Sequence, residues 1–169
     1  YDPSRQVGLA LDEWGTWWNV EPGTNPGFLH QQNTLRDALV AAVHFEAFHA
    51  HAERLRLANI AQTVNVLQSM VLTDGSQLIL TPTYHAFAMH VGHHDAQRLD
   101  VRPVGEVSTQ EADGREFPTA RVTASLRDGA VTVTAANLDP SESAVVELQL
   151  RGAGAVSYTH LTLPTTPYV

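Results

Sequence analysis

Two carboxylates and three tryptophans fall within seven positions near the start of the chain, in the run VGLALDEWGTWW from Val7 to Trp18. Asp12 and Glu13 are the groups that attack or donate a proton when a bond is cleaved, and Trp14, Trp17 and Trp18 offer flat amphipathic faces. An aromatic face beside a carboxylate suits a sugar ring, whose C–H side packs on an indole while its hydroxyls bond to carboxylates and amides. Neighbouring side chains on a strand point to opposite sides, so Asp12 and Glu13 enter one site only where the strand has ended, and one of the two is read as structural. Alone, such a pair also fits a solvated loop start. One tryptophan is expected to line the site and one or two to sit in a core under the loop.

Histidine supplies a second set. His44, His49 and His51 fall on one helical stretch, and His90, His93 and His94 crowd the end of another. Spacings of three and four place two imidazoles on one helix face, as a metal site requires. There is no H-E-x-x-H pattern and no carboxylate at matching spacing, so these are read as surface or helix-end histidines, with no metal and no cofactor expected.

The elements that must carry these residues follow from pattern. Val7–Leu11 is a near-continuous apolar run, the form of a strand buried on both faces, and a Pro- and Gly-rich loop follows over 21–32. Thr34 with Asp37 three positions on marks a helix start, and Leu35, Leu39, Ala42, Val43, Phe45, Phe48, Ala52 and Leu55 keep helical spacing. The stretch from Leu57 to Val71 has only uncharged polar residues, and Val64, Val66 and Leu67 suggest a second buried strand. Asp74-Gly75 turns the chain, and Thr81 with Pro82 starts a helix that ends near Gly92 to Asp95. Beyond residue 100 the pattern alternates: Val122, Ala124 and Leu126 face Val131, Val133 and Ala135 across an Asp128-Gly129 turn, and Val146, Leu148 and Leu150 alternate again. The fold class is therefore α/β followed by antiparallel β.

Composition narrows the partners. The 169 residues carry 18 acidic and 10 basic side chains, all of the latter arginine, for a net charge of -8. That balance argues against nucleic acid or an anionic membrane and favours a neutral substrate. No apolar run reaches the ~18 residues of a membrane-crossing helix. The absence of cysteine removes disulfides, thiol catalysis and Cys-ligated zinc. Residues 156–169, VSYTHLTLPTTPYV, have no charged side chain and resemble a translated sequencing-library adapter; the alternative is a strand with a Pro-rich end.

Three stretches, LALDEWGTWW, TLRDALVAAVHFEAFHAHAERLRLANIAQTVNVLQSM and LTPTYHAFAMHVGH, resemble in that order the C-terminal half of glycoside hydrolase family 51, the α-L-arabinofuranosidases. The likeness runs from about Val7 to Asp95 and more loosely to about Gly152. It implies a retaining, cofactor-free glycosidase built on a (β/α)8 TIM barrel with an attached β-sandwich. Residues 1–95 would then be the last part of the barrel and 96–155 part of the antiparallel β-sandwich. By the same resemblance Glu13, ending the seventh barrel strand, is the nucleophile, Trp17 lines the arabinose subsite, Gln62 of the AQTVN run hydrogen-bonds the sugar, and Asn65 is structural.

Retention needs two carboxyls about 5–5.5 Å apart. The family's acid/base glutamate lies in a G-N-E motif, and these 169 residues contain none. The chain is thus expected to begin after that motif, being too short for a barrel of about 250 residues, and to be inactive alone. The expected substrate is an arabinose-containing oligosaccharide or polysaccharide, met by a parent enzyme that is cytoplasmic and homo-oligomeric. A non-catalytic carbohydrate-binding or interaction protein on a degenerate barrel is the alternative, as is a glycosidase of other specificity. An upstream G-N-E motif separates enzyme from binding protein.

Overall fold

The computed structural model describes residues 2–152; the 156–169 tail lies outside them. The opening run forms β1 (Leu9–Trp14), which pairs in parallel with β2 (Leu55–Ile60). Parallel neighbours need a crossover, and α1 (Leu35–Ala50) provides it, making a βαβ unit. The helix starts where Thr34 and Asp37 place it: the Thr34 N–H donates to Asp37 Oδ2 at 2.8 Å, and the Asp37 N–H donates to Thr34 O at 3.0 Å.

The expected extent of the first helix and the expected second strand both fail in this half. The helix stops at Ala50, and Leu55, assigned to it by spacing, is the first residue of β2. Val64–Leu67 is no strand, because Asn65 and Leu67 take positive φ of 60° and 51°, which an extended ladder excludes. Val64 keeps only an isolated bridge to Val71. A hairpin, β3 (Val71–Asp74) with β4 (Gln77–Leu80), turns at Asp74-Gly75. Thr81 then caps α2 (Pro82–His90), its Oγ1 accepting from the Tyr84 N–H at 3.3 Å, with Pro82 in the first helical position, where its missing donor costs nothing. A 3₁₀ turn, Val91–His93, ends it.

The core of this half is aromatic. Trp14, only 7% exposed, meets Phe45 and Phe48 edge to face at 5.7 and 5.1 Å and stacks near Phe87 at 6.0 Å, with Ala41 and Ala86 closing the gaps. Burying such a side chain stabilises by about 2–3 kcal/mol. Expected burial of β1 on both faces is not found. Leu9 and Leu11 are exposed, because among the described residues β2 is the only strand beside β1.

The remaining strands are antiparallel: β5 (Gln97–Arg98), β6 (Thr109–Ala112), β7 (Arg115–Pro118), β8 (Ala120–Arg127) and β9 (Ala130–Asn137). β6 and β7 form a hairpin, and β5, β8 and β9 form a sheet in that order. The β8–β9 register is the expected one: Val122 faces Ala135, Ala124 faces Val133 and Leu126 faces Val131. Asp128 and Gly129 both take positive φ, as a tight turn matched to strand twist requires. The alternation over 144–150 makes no strand, since no described segment pairs with it, and Val145, Val146, Leu148 and Leu150 stay exposed. With nine strands and two α-helices among the described residues the chain is β-rich, and none of those helices is long and apolar enough to cross a membrane.

Candidate functional site

The acidic pair sits on a break in the ladder. Leu11 pairs with Ala58 and Trp14 with Ile60, so three steps on β1 match two on β2, and the extra residue falls at Asp12–Glu13. A bulge re-aims the side chains around it and frees neighbours from strict alternation. Both carboxylates are exposed, and neither has a hydrogen-bond or ion-pair partner among the described residues.

Gln62 lies at the matching end of the next strand. The Ala61 N–H donates to Trp14 O at 2.8 Å, extending the parallel ladder by one bond, and the following Ala61–Gln62 peptide is cis. Glu13 and Gln62 therefore stand at adjacent carboxyl ends of two parallel strands, the edge where open α/β sheets bind ligands. Gln62 also lines an open groove of about 790 Å³ with Phe28, His30, Asn65, Thr73 and Ile79; Glu13 and Trp17 do not line it. Asn65 is engaged elsewhere, accepting from the Thr73 N–H at 2.7 Å and donating to Thr73 Oγ1 at 3.0 Å, which ties its loop to β3.

The three tryptophans separate by environment. Trp14 is core, Trp17 is 66% exposed, and Trp18 is held by its polar edge. The Trp18 indole N–H donates to Asp37 Oδ1 at 2.9 Å, and the Arg36 guanidinium lies 4.2 Å over its ring, a cation–π contact. The same Oδ1 accepts from Thr16 Oγ1 at 2.9 Å. Asp37 is fully buried, and burial raises a carboxyl's pKa; here the donors Thr34, Trp18, Thr16 and Arg36 outweigh it and hold the group below the ordinary aspartate value.

Gln68 and Gln31 complete the network. Gln68 donates to Asp37 O at 2.7 Å and accepts from the Thr16 N–H at 2.8 Å; Gln31 accepts from the Trp18 N–H at 2.8 Å and donates to Thr16 Oγ1 at 3.1 Å. Gly15 permits the approach: its φ is +139°, and a Cβ there would stand 3.2 Å from Gln68 Oε1 and 3.4 Å from Ala61 O. Sequence reasoning missed Gln31 and Gln68 and saw Asp37 only as a cap. For Gln68 alone the charge-free polar stretch from Leu57 to Val71 hinted at burial, though not at its partner, since uncharged amides are the polar groups a core tolerates when bonded; nothing comparable marks Gln31.

The histidines gather at helix ends, as expected, with His51 and His94 exposed, but three of them are more enclosed than surface groups. His93 is only 7% exposed, and it clusters with half-buried His49 and His90 against β8 and β9, at ring separations of 4.9, 5.6 and 6.3 Å. They are not surface groups, because the β8–β9 hairpin packs over this end of the helices. Partners fix the tautomers. His90 Nδ1 is 2.8 Å from Ala86 O, which only accepts, so Nδ1 carries the proton and Nε2 accepts from Thr134 Oγ1 at 3.2 Å. Thr134 Oγ1 then accepts from His93 Nε2 at 3.2 Å, leaving His93 Nδ1 to accept from Ser125 Oγ at 2.7 Å. Among the described residues no group of three or more His, Cys, Asp or Glu side chains is arranged to hold a metal ion.

Comparison with known proteins adds lineage to this geometry. The family model described as "Alpha-L-arabinofuranosidase C-terminal domain" matches residues 12–168. The chain belongs to that family. It is 46% identical over 151 residues to an intracellular exo-α-L-arabinofuranosidase of Bacteroides ovatus, covering 89% of this chain and 29% of that one. Among solved structures, the family 51 arabinofuranosidase of Xanthomonas axonopodis pv. citri superposes with a TM-score of 0.76 at 50% identity, over 84% of this chain and 29% of that one. The α-L-arabinofuranosidase of Thermotoga maritima, solved as an arabinose complex, gives 0.64 at 27% identity, over 79% and 29%. The chain thus spans less than a third of the length of these relatives.

Proposed function

We propose that this chain is the part of a retaining exo-α-L-arabinofuranosidase that supplies the nucleophile and one wall of the sugar site. In this reading β1, α1, β2 and α2 belong to the last part of a (β/α)8 barrel and the later strands to a β-sandwich. Glu13 is the nucleophile, Trp17 packs on the arabinose ring and Gln62 bonds its hydroxyls. The observation that carries the reading is the placing of Glu13, on a bulge, beside Gln62 at neighbouring carboxyl ends of parallel strands. The likeness to enzymes named for this activity supports it.

The chemistry follows from two carboxyls. The Glu13 carboxylate attacks the anomeric carbon of a terminal arabinofuranosyl group while a second carboxyl protonates the departing oxygen, leaving a glycosyl ester on Glu13. That second carboxyl then takes a proton from water, which attacks the anomeric carbon, displaces the Glu13 carboxylate and releases arabinose with its configuration retained. No G-N-E motif is present in these 169 residues, so the acid/base group comes from a longer parent chain. Arabinan, arabinoxylan and their oligosaccharides are the substrate class. The Bacteroides ovatus and Streptomyces lividans relatives are named intracellular, which supports a site of action inside the cell on imported oligosaccharides.

In the parent enzyme, Glu13→Ala should lower turnover of an aryl α-L-arabinofuranoside on the order of 10³-fold or more. Azide should restore part of it by forming an arabinosyl azide of inverted configuration. The 169-residue chain alone should release no aryl alcohol. Near-normal turnover by Glu13→Ala, or robust hydrolysis by the chain alone, overturns the proposal.

A further inference from the structure

Trp17 has no side-chain hydrogen bond and no aromatic partner among the described residues, yet both of its neighbours in sequence are locked. Thr16 donates from its backbone N–H to Gln68 and from its hydroxyl to Asp37, while Trp18 donates from its backbone N–H to Gln31 and from its indole to Asp37. Two buried side chains each bridge the position. Gln31 bonds Trp18 N with its oxygen and Thr16 with its nitrogen; Asp37 receives Thr16 Oγ1 and Trp18 Nε1 on a single oxygen. Gln31 is 2% exposed and Asp37 fully buried, so water does not compete for these bonds.

We propose that Gln31 and Asp37 are positioning residues that hold Trp17 as a ready-made platform for the sugar ring, with Trp18 a strut rather than a second platform. This rests on the assignment of Trp17 to the sugar site made above. The physical ground is preorganisation: an exposed indole on a loose loop loses its freedom only when the ligand arrives, and that cost is subtracted from affinity. Here the restriction is built into the fold. Trp18 suits the role of strut because Arg36 covers its ring and Asp37 takes its only side-chain donor.

The test separates anchoring from capping. In the parent enzyme, Thr16→Val with Trp18→Phe removes both loop donors to Asp37 and leaves its bond to the Thr34 N–H, so α1 keeps its start. Gln31→Met removes the other bridge at nearly constant volume. Each change should weaken binding of L-arabinose, read by calorimetry, by about tenfold, with KM for the aryl arabinoside rising in parallel. Thr16→Ser, which keeps the hydroxyl, should bind as the unaltered enzyme does. Should the double variant fail to fold, Thr16→Val alone reports the same effect at smaller size.

The deciding measurement is a cycle with Trp17→Ala. Because the anchors act through Trp17, their loss should add almost nothing once the indole is gone. Additive losses overturn the proposal, as do anchor variants that bind normally while Trp17→Ala does not. Normal binding by Trp17→Ala overturns the assignment of Trp17 itself, and this inference with it.

Discussion

Arg121 on β8 grips Glu46 on α1 with two parallel bonds, Nε to Oε2 at 2.5 Å and Nη2 to Oε1 at 2.8 Å. The fork joins the helical half to the antiparallel sheet, and both side chains are less than one-third exposed. A lysine offers a point charge in place of the planar fork and cannot reproduce the second bond. Arg121→Lys should therefore lower stability by about 1 kcal/mol, read as a shift in the urea midpoint. A double cycle with Glu46→Gln should show coupling of the same size.

The histidine cluster makes stability depend on acidity. Burial pushes the His93 imidazole down from its ordinary 6.5 to about 4, and the neighbouring charges of His49, His90 and His94 act in the same direction. His49 is lowered by burial and then by His90, His94 and Arg98, and His90 by burial against the opposing bond to Ala86. Thr123, Ser125 and Thr134 face the rings from the sheet. The folded state thus favours neutral rings. As pH falls from about 6.5 towards 4 the unfolded chain takes up protons that the folded chain refuses, so stability is full above that window and declines through it. His93 contributes a decline of about 3 kcal/mol by the acid end. His93→Gln should flatten the slope of urea midpoint against pH between 7 and 4.5.

Gly92 and Thr132 test the same interface sterically. A Cβ at Gly92 would lie 2.7 Å from Thr132 Oγ1 and 2.9 Å from its Cγ2. Threonine is branched at Cβ and cannot swing clear at low cost. Gly92→Ala should destabilise by about 1–3 kcal/mol, and adding Thr132→Ala should recover much of that loss in thermal unfolding.

Legibility in the sequence tracked how local the cause was. The β8–β9 register could be read because alternation and an Asp-Gly turn specify it between them. The starts of α1 and α2 could be read for the same reason, from Thr34 with Asp37 and from Thr81 with Pro82. The run over 144–150 misled because alternation describes one strand, whereas a ladder takes two. Leu55 misled because a helical period continues by chance into a strand that follows closely. At the site, Glu13, Trp17 and Gln62 stood out by motif, but Gln31 and Gln68 did not. Their partners are fifteen and fifty-two positions away, at Thr16, and no local pattern encodes such a contact.

Among the described residues the two-stranded sheet leaves unpaired backbone along both outer sides of β1 and β2, beside the uncovered side chains of Leu9, Leu11 and Leu57. Free N–H and C=O groups in a row are a template for another strand, and apolar flanks add adhesion. In concentrated solution this polypeptide by itself should therefore be prone to clumping, with purified material growing in mean particle size as it is concentrated. Lysine at Leu9 or Leu57 is the first remedy for anyone handling it.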